Sequence, residues 1–157
     1  MENLTRIASF SVNHDYITEG IYVSRIDGDI TTYDLRTRVP NNCEDEYMSN
    51  LTMHSLEHLF ATYVRNSEIG SRVIYFGPMG CQTGFYLLVR NSDDKETLGV
   101  VISTLKKILS HEGDVPGAKR EECGNDKNRD LVSAKEEARK YLTVLESKDW
   151  NFKYPEA

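Results

Sequence analysis

At 157 residues the chain can bury one sizeable hydrophobic core but not two, so a single domain over residues 1–157 is expected. Charged residues at 28% and hydrophobic ones at 39% exclude a disordered polymer, and a net charge of −6 argues against general nucleic-acid binding. The first residues lack a basic stretch followed by an apolar run, and no apolar stretch approaches the roughly 20 residues that span a bilayer, so a cytoplasmic protein with no membrane partner is expected.

Ser9 to His14, Ile21 to Ile26 and Ile30 to Val39 alternate polar and apolar residues and read as strands. Asp27-Gly28 between the second and third supplies the positive backbone angle of a tight hairpin, and Pro40-Asn41-Asn42 ends the run. From Asn50 to Asn66, Met53, Leu56, Phe60, Tyr63 and Val64 follow helical spacing, with Ser49 or Asn50 available as the cap. Arg72 to Phe76 and Thr83 to Arg90 are further strands, joined by a Gly- and Pro-rich turn that carries Cys81. Helices follow at Thr97 to Leu109 and Leu131 to Glu146, with Cys123 in the polar loop between them. This order predicts an α+β fold, a mainly antiparallel sheet with helices packed on one face.

The strongest chemical feature is His54-Ser55-Leu56-Glu57-His58. Four residues of helix rotate by about 400°, so the two imidazoles share a face and can meet one divalent metal ion. Glu57 flanks that stripe, where a carboxylate serves as a general acid or base rather than as a ligand. A catalytic ion usually takes three protein ligands, and Cys123 is the choice for the third: it lies in a polar loop beside Gly124, where a buried structural thiol is out of place. Three cysteines at wide spacing, Cys43, Cys81 and Cys123, do not form a disulfide framework. Cys81, on its glycine-bounded turn, is exposed to ligands, and a nearby cation or metal would favour its thiolate. The bland alternatives are a surface helix with two incidental histidines, a bystander thiol at 123 and a small hydrophobe at 81. A His-x-x-Glu-His helix also occurs in a class of metallopeptidases, the competing function. A peptide cleft normally draws on more chain than follows His58 here.

Residues 54–66 (HSLEHLFATYVRN) and 77–86 (GPMGCQTGFY) resemble the two signature segments of the S-ribosylhomocysteine lyase (LuxS) family. Ser9 to His14, Tyr33 to Arg36 and Glu122 to Gly124 extend the resemblance over nearly the whole chain. It implies an enzyme that converts S-ribosylhomocysteine to homocysteine and 4,5-dihydroxy-2,3-pentanedione, the precursor of a quorum-sensing autoinducer. The implied route moves a sugar carbonyl by enolisation and ends in β-elimination. It also implies His54, His58 and Cys123 as ligands of one divalent metal per subunit, Fe2+ by expectation, with Zn2+ or Co2+ able to replace it. Cys81 and Glu57 become proton carriers; Arg36, Ser9, His14 and Arg65 become substrate-binding residues. The resemblance further implies a homodimer with active sites at the interface. The chain departs from the family pattern at Tyr75 and Gly77, where many relatives carry Asp and Ser.

Overall fold

The computed structural model describes residues 4–44, 46–125 and 129–156. Four strands, β1 (Gly20–Asp27), β2 (Ile30–Arg36), β3 (Val73–Pro78) and β4 (Gly84–Arg90), form one antiparallel sheet in the order β1-β2-β4-β3. Alternation sorts their residues into two faces. Ile21, Tyr33, Leu35, Phe76, Phe85, Leu87 and Val89 are buried on the inner face. Asp34, Arg36, Tyr86 and Leu88 stand on the outer one. Gly28 turns the first hairpin at φ 61°, as the Asp-Gly pair predicts.

Three long helices, α2 (Asn50–Arg65), α3 (Asp94–Leu109) and α4 (Leu131–Glu146), pack on the inner face and on one another. Leu56, Leu59, Phe60 and Val64 of α2, Val101, Leu105 and Ile108 of α3, and Ala134, Ala138 and Leu142 of α4 complete one contiguous core. Each helix starts at a side-chain cap: Ser49, Asp93 and Asp130 accept from the backbone N–H of Thr52, Glu96 and Ser133. The cap at Asp93 explains why α3 begins at Asp94, three residues before the start that apolar periodicity suggests. The α+β reading therefore stands. Among the described residues no helix is long and apolar enough to cross a membrane.

Two expectations need correction. Ser9 to His14 is not a strand: it forms a short helix α1 (Ala8–Ser11) and enters a 3-10 turn at His14–Tyr16. Local bonds outcompete the ladder there, because Ser11 Oγ donates to the Ile7 carbonyl and the Asn13 side chain accepts from the Asp15 N–H. The second correction concerns β2, which stops at Arg36 rather than Val39. The N–H groups of Thr37 and Arg38 both donate to the Thr83 carbonyl, at 2.9 and 3.0 Å, and so leave the regular ladder.

Close approach of β2 and β4 positions the site. A Cβ at Gly84 would lie 2.5 Å from the Leu35 carbonyl oxygen, so only glycine fits. The segment after α4 closes the free edge of β1, where the Val23 N–H donates to the Phe152 carbonyl at 2.8 Å.

Tyr33 ties the sheet to the start of α3: its hydroxyl donates to Asp94 Oδ1 at 2.6 Å and lies 2.9 Å from Ser92 Oγ. Burial, reinforced by Asp94, pushes its pKa from 10.0 to about 12. A raised folded-state value means that stability is complete below the unfolded value and falls as pH climbs from 10.0 to about 12. Urea unfolding of the wild type should therefore lose stability across that window, and Tyr33→Phe should remove roughly 2 kcal/mol of the loss.

Candidate metal centre and thiol site

Ser49 caps α2, and one turn later the helix presents His54 and His58 with ring centroids 4.6 Å apart and planes at 87°. The loop between α3 and α4 brings in Cys123, whose Sγ lies 3.4 Å from His54 Nε2. The ligand atoms of His54, His58 and Cys123 all lie within 4.8 Å of one another, a spacing that one ion can bridge. Among the described residues this is the group able to hold a metal, and it contains no downstream carboxylate of the kind a peptidase centre would add.

The surroundings prepare the donors. A carbonyl only accepts, so the 2.9 Å contact of His58 Nδ1 with the Pro116 carbonyl places the ring proton on Nδ1 and leaves the Nε2 lone pair for a ligand. Gly117, at φ 71°, lets the loop pass over that ring: a Cβ there would lie 2.6 Å from His58 Nδ1. The Asn125 N–H donates to Cys123 Sγ at 3.4 Å, which favours its thiolate. Arg129 gathers the loop. Its guanidinium donates to the carbonyls of Gly117 and Asn125 at 2.8 and 3.1 Å, and its Nη1 lies 3.2 Å from His54 Nδ1, a contact that has to loosen for the ring to carry its proton on Nδ1 and offer Nε2 to an ion. Two imidazoles and a thiolate suit ferrous, zinc or cobalt ions, so the donor chemistry fits the expected metal.

Glu57 is half-buried on the same helix. Burial raises its pKa above 4.5, against an opposing contribution from His58. A carboxyl held above its ordinary range exchanges protons more readily near neutrality than a solvated one.

Cys81 is exposed on the β3–β4 turn, where Gln82 adopts φ 64° and donates its N–H to the Met79 carbonyl. Its Sγ lies 2.9 Å from Thr83 Oγ1. Thr83 in turn accepts from Arg36 Nη1 at 2.7 Å. Arg36 forks onto Asp34 through Nε and Nη2, at 3.1 and 2.6 Å, and the Tyr154 hydroxyl donates to the same carboxylate at 2.7 Å. Burial opposes the Arg36 charge, but Asp34 prevails and the guanidinium pKa is raised. Burial, then Asp34, also raises the pKa values of Tyr86 and Tyr154.

The structure thus assembles His54, His58 and Cys123, and connects Arg36 to Cys81 through Thr83. It does not join the remaining candidates to either group by a hydrogen bond among the described residues. Ser9 sits on α1 and lines a groove on the outer face together with Ser24, Tyr75 and Tyr86. His14 Nδ1 donates to the Val12 carbonyl at 2.9 Å. Arg65 is exposed and donates to the carbonyls of Val73 and Ile74, each at 3.2 Å, which ties α2 to the start of β3. The two departures from the family pattern form one unit: a Cβ at Gly77 would lie 2.0 Å from the Tyr75 hydroxyl, so the tyrosine ring fills the place of a side chain at 77.

Sequence reasoning missed Asp34, Thr83, Arg129, Gly117 and Tyr154. Asp34 and Thr83 lay within quoted motifs; the others carried no signal without the loop geometry. Gly117→Ala should displace the His58 ring and weaken Co2+ binding about tenfold, measured by the thiolate-to-cobalt absorbance, with the fold intact by circular dichroism.

Comparison with known proteins identifies the family. The family model for S-ribosylhomocysteinase (LuxS) matches residues 7–151. A protein named S-ribosylhomocysteine lyase from Finegoldia magna is 42% identical, covering 98% of this chain and 100% of its own. Proteins of the same name from Desulfotalea psychrophila and Borreliella afzelii are 41% and 39% identical; each match covers 97% of this chain, and 99% and 100% of theirs. On a match of this extent, the chain belongs to the S-ribosylhomocysteinase (LuxS) family.

Proposed function

We propose that the protein is an S-ribosylhomocysteine lyase that releases homocysteine and 4,5-dihydroxy-2,3-pentanedione. The observation that carries this reading is the convergence of two imidazoles and a thiol within 4.8 Å, in a chain of this family. A divalent ion held by His54, His58 and Cys123, Fe2+ with Zn2+ or Co2+ as substitutes, supplies Lewis acidity for carbonyl chemistry.

The side chains move the protons. Cys81, as thiolate, takes a proton from a sugar carbon and returns it to the neighbouring carbon, which shifts the carbonyl one position; a second round shifts it again. Glu57 carries protons between the oxygens and assists the last step, in which the bond from carbon to sulfur breaks and homocysteine leaves as the thiol. Arg36, expected from the resemblance to bind substrate, is 2% exposed with Nε, Nη1 and Nη2 engaged by Asp34 and Thr83, so its part is to support the negative sulfur of Cys81. Ser9 and His14 hold sugar hydroxyls, and Arg65 takes the carboxylate of the homocysteine end.

The enzyme acts in the cytoplasm as a homodimer with its sites at the subunit interface, as a single domain and without nucleic acid. The outer face of the sheet supports the dimer: Tyr75 at 50% exposure and Phe10 at 63% leave apolar surface beside α1 for a second copy to cover.

Purified protein supplied with S-ribosylhomocysteine should release a free thiol, read with a thiol reagent; a peptidase would leave that substrate intact. Cys81→Ala should retain its metal and lose turnover by at least about 100-fold, whereas His58→Ala should lose both. Full turnover by Cys81→Ala would overturn the proton-carrier role.

A further inference from the structure

We propose that Thr83 is the positioning residue that holds Cys81 ready as a thiolate, by relaying the charge of Arg36 through its hydroxyl. The proposal rests on the reading of Cys81 as the proton carrier.

The direction of the hydrogen bonds follows from what each group can do. A guanidinium only donates, so the 2.7 Å contact between Arg36 Nη1 and Thr83 Oγ1 uses a lone pair of the hydroxyl. The single hydroxyl proton is then free to point at Cys81 Sγ, 2.9 Å away, and a thiolate there can only accept. Donation from Arg36 polarises the hydroxyl and strengthens the bond that it gives to sulfur. The other guanidinium contacts run to Asp34, so among the described hydrogen bonds the route from Arg36 to Cys81 passes through Thr83.

The hydroxyl is also fixed in place. Thr83 is 2% exposed, and its carbonyl accepts from the N–H groups of Thr37 and Arg38. Its β-branched side chain has few staggered positions available. Cys81, by contrast, is exposed on a turn and has no burial to hold it. A buried threonine two residues along the chain supplies the orientation that the turn lacks.

The charged and titratable groups around this relay are Arg36 and Asp34 from β2, Tyr86 from β4 and Tyr154 from the C-terminal segment. Both tyrosines have raised pKa values and so stay neutral around neutral pH.

The test uses metal-loaded protein in a Cys43→Ser background, with Cys81 alkylation by iodoacetamide followed against pH by peptide mass mapping. Thr83→Val, nearly the same shape without the hydroxyl, should move the midpoint of the alkylation profile up by about one pH unit. It should also lower kcat at neutral pH about tenfold and leave KM within about twofold, since the substrate is not touched. Thr83→Ser should restore the profile to within about 0.3 pH unit and most of kcat. An unchanged profile and kcat in Thr83→Val, with Cys81→Ala inactive, would overturn the relay alone. Equal losses in the valine and serine variants would also overturn it, because the hydroxyl would then not be what matters. A fully active Cys81→Ala would instead bring down the reading of Cys81 itself.

Discussion

A guanidinium and a carboxylate removed almost completely from water must be paired on every side, and Arg36 with Asp34 imposes that demand on the outer face of the sheet. Their fork satisfies the carboxylate only in part. Tyr154 supplies a further donor to Asp34, and Thr83 supplies an acceptor for the remaining arm of Arg36. One buried ion pair therefore draws together β2, the β3–β4 hairpin and the segment that follows α4. The strand register follows the same arrangement: Arg36 pairs with Gly84, whose missing side chain lets β2 lie close enough for Arg36 to reach Thr83.

The candidate metal centre is organised differently. Its helical half is rigid, because α2 buries Leu56, Leu59 and Phe60 in the core and exposes the imidazoles on the flank. Its other half is a loop whose described residues form no helix or strand, and backbone carbonyls do the positioning. Pro116 fixes one ring, while Arg129 binds two stretches of the loop to the other. Ser55, between the two histidines, accepts from the Asp130 N–H at 2.7 Å and so anchors the end of the loop to the helix that carries the ligands. A loop tied at both margins can present a thiol with a precision that its sequence alone does not suggest.

The parts legible in the sequence were those with local causes. The spacing of His54 and His58 is a property of any helix, and the apolar positions of α2 and α4 show where those helices run. Cys123 followed from ligand chemistry once a third donor was required. Thr83 and Asp34 were visible as letters, but their meaning depends on strand register, which brings residues 36 and 83 together across 47 positions of chain. Arg129 and Gly117 act through backbone carbonyls and a positive φ, neither of which leaves a periodic trace. The segment from Ser9 to His14 misled because its alternation imitates a strand, while short-range bonds from Ser11 and Asn13 coil it instead. The assignments of Ser9, His14 and Arg65 came from resemblance, and the hydrogen bonds of this chain engage His14 and Arg65 elsewhere.

Asp34 waits for Tyr154, a partner 120 residues later. On the ribosome, β2 emerges long before that hydroxyl, and the hairpin that carries Thr83 also follows it. The arginine and aspartate therefore keep a route to water until the segment after α4 has docked against the assembled sheet. Burial of this pair thus depends on a contact of long sequence separation, the kind that is slow to form in folding.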